Sequence, residues 1–455
     1  MSFDHSTGSS GTANTGLKTL VITGSYGVTA DLDMNGSNTS YASQATTVTS
    51  VDASGLTAQA AGTNTFTLKD TTGGHALTTS TITGSAGDDL ISLGGSTGTD
   101  TLASGKVVTI SLGAGNDAVT ASLGQLYTSG SGYLVLDGGS STSAAGDLLT
   151  ISDTSAGTIN DNVFAHTTNF ESLTLGDTGT LNLTTGGFFN SAFSTGVTVT
   201  AASVGDAAST LDFSMYTSGS VKLSLTTGAV TSNATSIVGS AQADTITVTA
   251  ASYTGYAGAV SVNGGAGNDT ITVTTAATGV SGAVVITGGT GADTIKVTSG
   301  VASLYNTVTY SIAKGDSTTT AYDNITGYVM ADGTNFADKL DLSGTATVAS
   351  NVATTSYATG ITYSITSGIV TFGGTGASSM SVADKITALQ SIVLTTLDTV
   401  AFLDTSNPSS TNTYVFHHDV SGSASSDTVV ELVGTTAALL TATASTYTAG
   451  AVYVI

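Results

Sequence analysis

Two stretches of the sequence decide the fold: Gly264-Gly-Ala-Gly-Asn-Asp269-Thr-Ile271 and Gly288-Gly-Thr-Gly-Ala-Asp293-Thr-Ile295. In each, glycines that tolerate positive φ precede an aspartate and a strand-forming Thr-Ile pair. Such a run predicts a tight turn that leads directly into a β-strand. The aspartate adds a hard anionic oxygen beside the carbonyl groups of the turn, and Ca²⁺ prefers ligands of this kind. We therefore predict stacked turns that bind calcium.

Weaker copies of the pattern occur on both sides of these stretches. They are Gly84-Ser-Ala-Gly-Asp-Asp89-Leu-Ile91, Gly95-Ser-Thr-Gly-Thr-Asp100-Thr-Leu102, Gly113-Ala-Gly-Asn-Asp117-Ala-Val119, an interrupted copy from Gly138 to Leu149 that contains Asp147, Gly239-Ser-Ala-Gln-Ala-Asp244-Thr-Ile246, and a last copy, Gly373 to Ser378, with serine in place of aspartate. The aspartates recur mostly at intervals of 24 to 30 residues. This spacing predicts one turn in each rung of that length, with the turns stacked along one edge.

The composition excludes several classes of protein. The 455 residues include 57 glycines, one proline and no cysteine or tryptophan, and 31 acids against 8 bases, all lysine, give a net charge of −23. A basic surface for nucleic acid cannot be built from so few cations, and thiolate chemistry needs cysteine. Hydrophobic residues still make up 40% of the chain, which indicates that it buries a core and is not disordered.

Short segments with apolar residues at every second position predict strands rather than helices. Examples are Leu17–Ile22, Phe170–Leu175 and Val221–Leu225, which end near Gly, Ser or Asp. Strands this short are typical of a sandwich or a solenoid, and the repeats favour the solenoid. We therefore predict an all-β fold, a right-handed parallel β-solenoid with a C-terminal β capping module. The expected divisions are N-terminal rungs at 1–80, a first repeat cluster at 81–155, further rungs at 156–235, a second cluster at 236–300 and the C-terminal module at 301–455.

The repeated turns resemble the glycine- and aspartate-rich nonapeptide G-G-x-G-x-D-x-U-x of RTX proteins, in which U is a large apolar residue. The resemblance implies that Ca²⁺ is held by the aspartates and by turn carbonyl groups. Tandem RTX repeats recur every nine residues, whereas only Asp89 and Asp100, which are 11 apart, approach that spacing here. The candidate metal residues are Asp89, Asp100, Asp117, Asp147, Asp244, Gly265, Gly267, Asp269, Gly289, Gly291 and Asp293.

A second resemblance concerns the segments between the turns. The patterns at Val48–Leu56 and Asn169–Leu175 are similar to those of bacterial surface-layer proteins secreted by the type I route, which lack a cleaved leader. The end of the chain, Ala451–Ile455, is similar to the apolar tails of type I secretion signals. The resemblance implies a secreted, extracellular protein of the cell surface that assembles with copies of itself, and a cell-surface polysaccharide is a second candidate partner. We expect no nucleic-acid partner and no membrane insertion, since the apolar runs are far shorter than a span.

Other functions remain as alternatives. An RTX-type surface adhesin would share the calcium turns and differ only in its partner. A polysaccharide-active β-helix enzyme is less favoured, because no zinc-protease, Ser-hydrolase or phosphate-loop motif occurs and the dispersed lysines do not form a groove. We therefore expect no enzymatic activity. The structural explanation of the turn aspartates is that they only cap turns. We expect other acids, such as Asp153 and Asp206, to be solvated, and the adjacent His417 and His418 to face opposite sides of a strand.

Overall fold

The computed structural model describes most of the chain and divides it into two compact units. The first unit comprises residues 1–205 and 209–226, and the second comprises residues 206–208 and 227–455. The described residues are 18–31, 48–60, 63–70, 79–93, 102, 104–127, 129–153, 157–176, 180–204, 209–227, 234–250, 260–275, 284–299, 308–330, 338–342, 344, 346–392, 398–404, 411–419, 427–441 and 452–455.

The first unit consists of short strands joined by turns. In chain order its strands are β1 (Thr19–Gly24), β2 (Val28–Asp31), β3 (Ser50–Leu56), β4 (Phe66–Asp70), β5 (Thr81–Thr83), β6 (Asp89–Leu93), β7 (Val107–Ser111), β8 (Ala114–Gly115), β9 (Ala118–Ala121), β10 (Tyr133–Asp137), β11 (Ser140–Ser141), β12 (Leu148–Ile151), β13 (Thr158–Ile159), β14 (Thr167–Thr168), β15 (Ser172–Leu175), β16 (Asn182–Thr184), β17 (Val197–Val204), β18 (Ser209–Asp212) and β19 (Val221–Thr227). Its helices are α1 (Leu123–Leu126) and α2 (Gly187–Ala192), and a 3₁₀ turn spans Asp161–Phe164.

These strands form parallel sheets in which each strand pairs with its counterpart one rung along the chain. One sheet has the order β1-β3-β5-β7-β10-β14, and a second has the order β2-β4-β6-β9-β12-β15-β17. The strands β13-β16-β18 form a third. Because the register pairs buried residues with buried residues, apolar side chains stack into columns such as Ile91, Val119, Leu149 and Leu173.

The second unit begins with the same arrangement. Its elements are β20 (Thr235–Val238), β21 (Thr245–Ala250), β22 (Val260–Ala266), β23 (Thr270–Thr275), β24 (Val284–Thr290), β25 (Thr294–Ser299), β26 (Val308–Ile312), β27 (Asp323–Thr326), β28 (Lys339–Leu342), β29 (Thr347–Val348), β30 (Val352–Ala358), β31 (Ile361–Thr366), β32 (Ile369–Gly373), α3 (Val382–Ile392), β33 (Asp398–Leu403), β34 (Thr413–His417), β35 (Thr428–Val433), β36 (Leu440–Thr441) and β37 (Tyr453–Val454). The strands β20-β22-β24-β26-β28 form one parallel sheet, and β21-β23-β25-β27 form another.

After β28 the chain changes to a module of mostly antiparallel pairs. The strands β30-β31-β32 form one antiparallel meander and β33-β34-β35 another, joined by the β32–β33 pair. Strand β35 then pairs in parallel with β27, with Leu432 opposite Ile325. At the edge of β28, Val452 makes an antiparallel bridge with Leu340. The module thus covers the last described rung of the second unit.

The structure confirms the parallel β-solenoid and its C-terminal capping module. The proposed division into five segments is finer than the two compact units and stays a prediction. The last copy of the turn pattern, Gly373 to Ser378, does not form a solenoid turn: Gly373 ends β32, opposite Thr362 in an antiparallel pair, and a 3₁₀ turn follows. The helix α3 was not predicted. No described helix is long and apolar enough to cross a membrane.

Candidate metal centre

The turn aspartates of the second unit form a chain of hydrogen bonds from rung to rung. The Oδ1 atom of Asp269 accepts the backbone N–H of Asp244 at 2.7 Å. Asp293 Oδ1 accepts the N–H of Asp269 at 2.8 Å, and Asp323 Oδ1 accepts the N–H of Asp293 at 3.0 Å. All four side chains are buried. We call Asp244, Asp269, Asp293 and Asp323 the second ladder.

The first unit contains an equivalent chain. Asp117 Oδ1 accepts the backbone N–H of Asp89 at 2.8 Å, and Asp147 Oδ1 accepts that of Asp117 at 2.7 Å. Glu171 ends the series, because its Oε2 accepts the N–H of Asp147 at 2.8 Å. We call Asp89, Asp117, Asp147 and Glu171 the first ladder.

The parallel register explains why these acids stack. Each ladder acid lies two residues before an apolar side chain that points into the core, as Asp269 does before Ile271. Ile271 pairs with Ile246 in one direction and with Ile295 in the other. Stacking of the core residues therefore brings the acids of successive rungs into line.

The turn glycines are required by the close stacking of backbone on backbone. Gly265 and Gly289 have φ values of +106° and +99°. A Cβ atom on Gly289 would lie 1.9 Å from the carbonyl oxygen of Gly265. Gly291 stacks on Gly267 in the same way, because a Cβ atom on Gly291 would lie 1.9 Å from the carbonyl oxygen of Gly267. The carbonyl groups of Gly265 and Gly267 thus point along the stack toward the next turn.

The first glycine of each pattern makes room for the carboxyl group. A Cβ atom on Gly264 would lie 2.3 Å from Asp269 Oδ2, and one on Gly288 would lie 2.3 Å from Asp293 Oδ2. Gly264 and Gly288 were not among the predicted metal residues. They nevertheless line the carboxyl groups directly.

The second oxygen of most ladder aspartates has no hydrogen-bond partner, although it is buried. This holds for the Oδ2 atoms of Asp117, Asp147, Asp269, Asp293 and Asp323. A buried carboxylate oxygen without a partner is costly unless a proton or a cation compensates it. These Oδ2 atoms are therefore the feature of the site that most directly indicates that a proton or a cation binds there.

The first aspartate of each ladder differs, because a serine satisfies it. Ser85 donates its backbone N–H to Asp89 Oδ2 at 2.5 Å and its hydroxyl to Oδ1 at 2.7 Å. Ser240 makes the same two bonds to Asp244, at 2.6 and 2.9 Å. In both turns, serine lies at the position of the second glycine of the repeat. Its two hydrogen bonds satisfy the carboxyl group.

Burial is the largest cause of the raised pKa of six ladder aspartates, Asp89, Asp117, Asp147, Asp269, Asp293 and Asp323. It raises the pKa of Asp117 to about 8 and that of Asp269 to about 7, and neighbouring aspartates add to both shifts. The pKa of Asp323 is raised to about 8, again chiefly by burial and then by Asp293. The N–H groups bonded to Oδ1 lower these pKa values in part. Near neutral pH, Oδ2 therefore binds a proton readily when no cation is present.

Calcium fits this donor set, provided that backbone carbonyl groups complete its coordination. Ca²⁺ takes six to eight oxygen ligands in flexible geometry, and carboxylates and carbonyl groups both serve. Within the described part of the chain, no three Asp, Glu or His side chains are grouped so as to hold a metal ion by themselves. An ion at a ladder would thus use carboxylate Oδ2 atoms together with the carbonyl groups of the glycine turns.

The comparison with family models agrees with this geometry. Residues 252–273 and 277–300 match the RTX calcium-binding nonapeptide repeat. The chain contains RTX repeats. The matched segments include Asp269 and Asp293, the two aspartates with the most complete glycine turns. No curated protein and no solved structure matches the chain.

The structure brings most of the predicted site residues together in the two ladders. Asp89, Asp117 and Asp147 lie in the first ladder, and Asp244, Asp269 and Asp293 lie in the second. The four glycines Gly265, Gly267, Gly289 and Gly291 stack beside the second ladder. Asp100 lies outside the described residues. That these residues bind calcium stays a prediction.

Two ladder acids were missed, and the sequence did contain a signal for both. Glu171 and Asp323 lie 24 and 30 residues after the preceding ladder acid and two residues before apolar Leu173 and Ile325. The period and the acid-x-apolar pattern persist there, although the glycines are lost. The expectation for Asp153 was wrong: it is buried, and its Oδ2 accepts the N–H of Leu123 at the start of α1 at 2.6 Å. Asp206 lies outside the described residues.

The adjacent histidines are part of a buried polar cluster. His418 Nδ1 lies 2.8 Å from Asp427 Oδ1, and His417 Nδ1 lies 2.9 Å from the hydroxyl of Thr399. The two rings thus bond to different partners.

Proposed function

We propose that this protein is a calcium-stabilised structural protein that is exported and assembles with copies of itself into a surface layer on a bacterial cell. The observation that carries the proposal is the row of buried Oδ2 atoms without partners at Asp117, Asp147, Asp269, Asp293 and Asp323. Bound Ca²⁺ would supply the positive charge that these atoms lack.

The aspartates and the glycines of each ladder would contribute to calcium binding in different ways. The Oδ1 bonds to backbone N–H groups fix the carboxyl groups of Asp269 and Asp293, so that little side-chain entropy remains to be lost on binding. The glycines allow the turns to approach closely, and their carbonyl groups offer further oxygen ligands. Each ion would then join one rung to the next.

The net charge connects the ions to assembly. At −23, copies of the chain repel one another, and a divalent cation that neutralises acidic groups reduces that repulsion. We therefore propose that calcium controls self-association as well as stability. The proposal includes no enzymatic activity and no nucleic-acid partner, and a cell-surface polysaccharide is a further proposed partner.

Electron microscopy and sedimentation velocity test the proposal. We expect ordered arrays of the purified chain in millimolar Ca²⁺, dispersal in EGTA, and little assembly in Mg²⁺, which demands tighter octahedral geometry. A chain that stays monomeric at high concentration in saturating Ca²⁺ would contradict the surface-layer role. It would leave a calcium-binding adhesin as the better description.

A further inference from the structure

The first hairpin of the C-terminal module has an edge strand that is exposed on both of its faces. Strand β30 is joined to β31 by a turn at Thr359 and Gly360, and the two strands pair in antiparallel fashion. Residues 353–356 are all exposed, and because side chains alternate along a strand, they point to both sides of the sheet. The strand pairs of the described residues give β30 one partner, β31. The outer backbone edge of β30 is therefore open to another strand.

The base of this hairpin is fixed to the core of the module. Val352 and Tyr363 pack against the buried cluster that contains Phe402. The middle of β30, Thr355 and Ser356, pairs regularly with β31 between two irregularities of register. The exposed middle of the strand is thus held by a packed base, and its outward side chains can be changed without disturbing the core.

The hairpin lies in the longest uncharged stretch of the chain. No charged residue and no histidine occurs from residue 342 to residue 383, whereas the whole chain has a net charge of −23. Because copies of such a chain repel one another, they approach most easily where neither carries charge. Strand β30 also lacks the lysines and prolines with which edge strands commonly avoid pairing. The charge distribution therefore makes β30 a place where two anionic copies can meet.

The sequence of β30 is complementary to itself. When two copies of this strand run antiparallel about a two-fold axis at Thr355, Thr355 lies opposite itself and Thr354 lies opposite Ser356. In the same register Ala353 lies opposite Tyr357. Thr–Thr and Thr–Ser pairs across antiparallel strands are favourable, and no like charges meet. Each strand then uses the backbone edge that β31 leaves open.

We propose that two copies of this protein associate through β30, which pairs antiparallel with β30 of the second copy to give a continuous sheet β31-β30-β30-β31. The contact is isologous, because each copy contributes the same strand. The inference rests on the proposed self-association and names the surface of one of its contacts. No residue of either ladder takes part in it. Since a two-fold pair closes on itself, an array needs at least one further contact elsewhere on the chain.

A lysine in the middle of the strand tests this contact against general charge repulsion. Thr355→Lys makes the chain less negative, so repulsion between copies alone predicts stronger association. Pairing of β30 predicts the opposite, because the two lysines would face each other across the axis. We expect sedimentation velocity in saturating Ca²⁺ to give a dissociation constant at least about tenfold higher than that of the parent.

Thr371→Lys is the matched control. Thr371 is an exposed residue of β32 in the same uncharged stretch, opposite Ser364 of β31 in the same meander. The variant makes the same change of charge on a strand that already has β31 on the side of the hairpin. We expect it to associate at least as well as the parent. Equal weakening by both lysines would mean that the copies meet through a face of the sheet, which would overturn the pairing of edges.

The absence of cysteine from the chain allows a direct test of the register. In Thr355→Cys the only cysteine would lie opposite that of the second copy, with the Cα atoms about 4.5 to 5.5 Å apart, a separation that a disulfide spans. We expect mild oxidation to produce a disulfide-linked dimer of Thr355→Cys and to leave Thr371→Cys monomeric. Thr354→Cys and Ser356→Cys test the neighbouring registers. Preferential crosslinking at any of the three β30 positions supports the pairing, and the fastest position marks the axis.

The outcomes separate this surface from the general function. If both lysine variants associate like the parent and no β30 cysteine crosslinks, the pairing of β30 is overturned, while arrays of the parent in Ca²⁺ would still support the surface-layer role. Weaker association of Thr355→Lys without crosslinking at β30 would overturn the symmetric pairing. Crosslinking at β30 by a protein that forms no arrays would leave the pairing and remove the surface-layer role, and a strictly monomeric parent would overturn both. Should Thr355→Lys lose the circular dichroism spectrum of the parent, the cysteine variants decide the question alone.

Discussion

The two oxygens of the Asp269 carboxyl group have different environments, and this difference explains why the residue is an aspartate. Oδ1 accepts the N–H of Asp244, a bond that asparagine could also form. Oδ2 is buried against Gly264 without a hydrogen-bond partner, where an amide would serve a purely structural ladder better. The structural explanation, in which aspartate only caps the turn, accounts for Oδ1 and leaves Oδ2 unexplained.

Replacement of both RTX aspartates by asparagine should therefore reduce calcium binding without unfolding the chain. For Asp269→Asn/Asp293→Asn we expect the loss of at least one bound ion in titration calorimetry. In EGTA the variant should be at least as stable as the parent, because the amides remove two buried acids. Asp341→Asn, which changes an exposed acid on β28, is the matched control. Equal calcium stoichiometry in the variant and in this control would mean that Asp269 and Asp293 only form turns.

The raised pKa values predict how the calcium-free protein responds to pH. Burial raises the pKa of the Asp117, Asp269 and Asp323 carboxyl groups to about 8, 7 and 8 in the folded chain, from an ordinary value of 3.8. The folded state therefore binds more protons than the unfolded state between about pH 4 and 8, and the free energy of unfolding falls as pH rises through this range.

Urea unfolding in EGTA at pH 5 and pH 8 measures this effect. We expect the midpoint to be lower at pH 8, and Asp117→Asn to reduce the difference between the two values. In saturating Ca²⁺ the trend should weaken or reverse, because the ion binds the ionised carboxylate and competes with the proton. A midpoint in EGTA that rises toward pH 8 would show that the carboxyl groups are already compensated by another charge.

At the scale of elements, the sequence predicted best where the turn and the strand signals agree. The glycines and the acid-x-apolar pattern around Asp269 and Asp293 correctly predicted stacked turns that lead into parallel strands. The copy at Gly373 failed because pairing with Thr362 places it in an antiparallel meander, a long-range contact that the local pattern does not encode.

Where a turn lacks the glycines, the regular spacing of the acids along the chain still predicts the ladder. We did not use this spacing in the prediction. Asp323 continues the ladder because Ile325 stacks on Ile295, whatever the composition of the preceding turn. The helix α3 was missed although Ser381 and Asp384 bond to each other's backbone N–H groups at its start. The polar, strand-favouring composition around it obscured this local signal.

The stacked glycines give a prediction with an internal control. Gly289 and Gly105 both have positive φ, +99° and +74°. A Cβ on Gly289 would overlap the Gly265 carbonyl, whereas nothing lies within 4 Å of a Cβ on Gly105. Gly105→Ala should therefore cost only the strain of its φ, about 1 kcal/mol, and Gly289→Ala about 1 to 3 kcal/mol more. Urea unfolding in Ca²⁺ measures both, and equal costs would contradict the close stacking.

At the scale of the whole molecule, calcium should stabilise each unit through its own ladder. A ligand that binds only the folded state adds RT ln(1 + [L]/Kd) per site, about 2.7 kcal/mol at a hundredfold excess over Kd. The first ladder lies entirely within the first unit and the second ladder within the second. Removal of one ladder carboxylate should therefore reduce the stabilisation by calcium of the unit that contains it. The stabilisation of the other unit should not change.

Differential scanning calorimetry of the full chain, with EGTA and with millimolar Ca²⁺, measures how much calcium stabilises each unit. We expect two transitions that both move to higher temperature with Ca²⁺. Asp117→Asn should reduce the shift of one transition, Asp269→Asn should reduce that of the other, and Asp341→Asn should reduce neither. If both ladder variants reduce the same transition equally, the two units unfold together and the ions stabilise them jointly. An unchanged profile of the parent on addition of Ca²⁺ would instead mean that protons, rather than calcium, compensate the buried carboxyl groups.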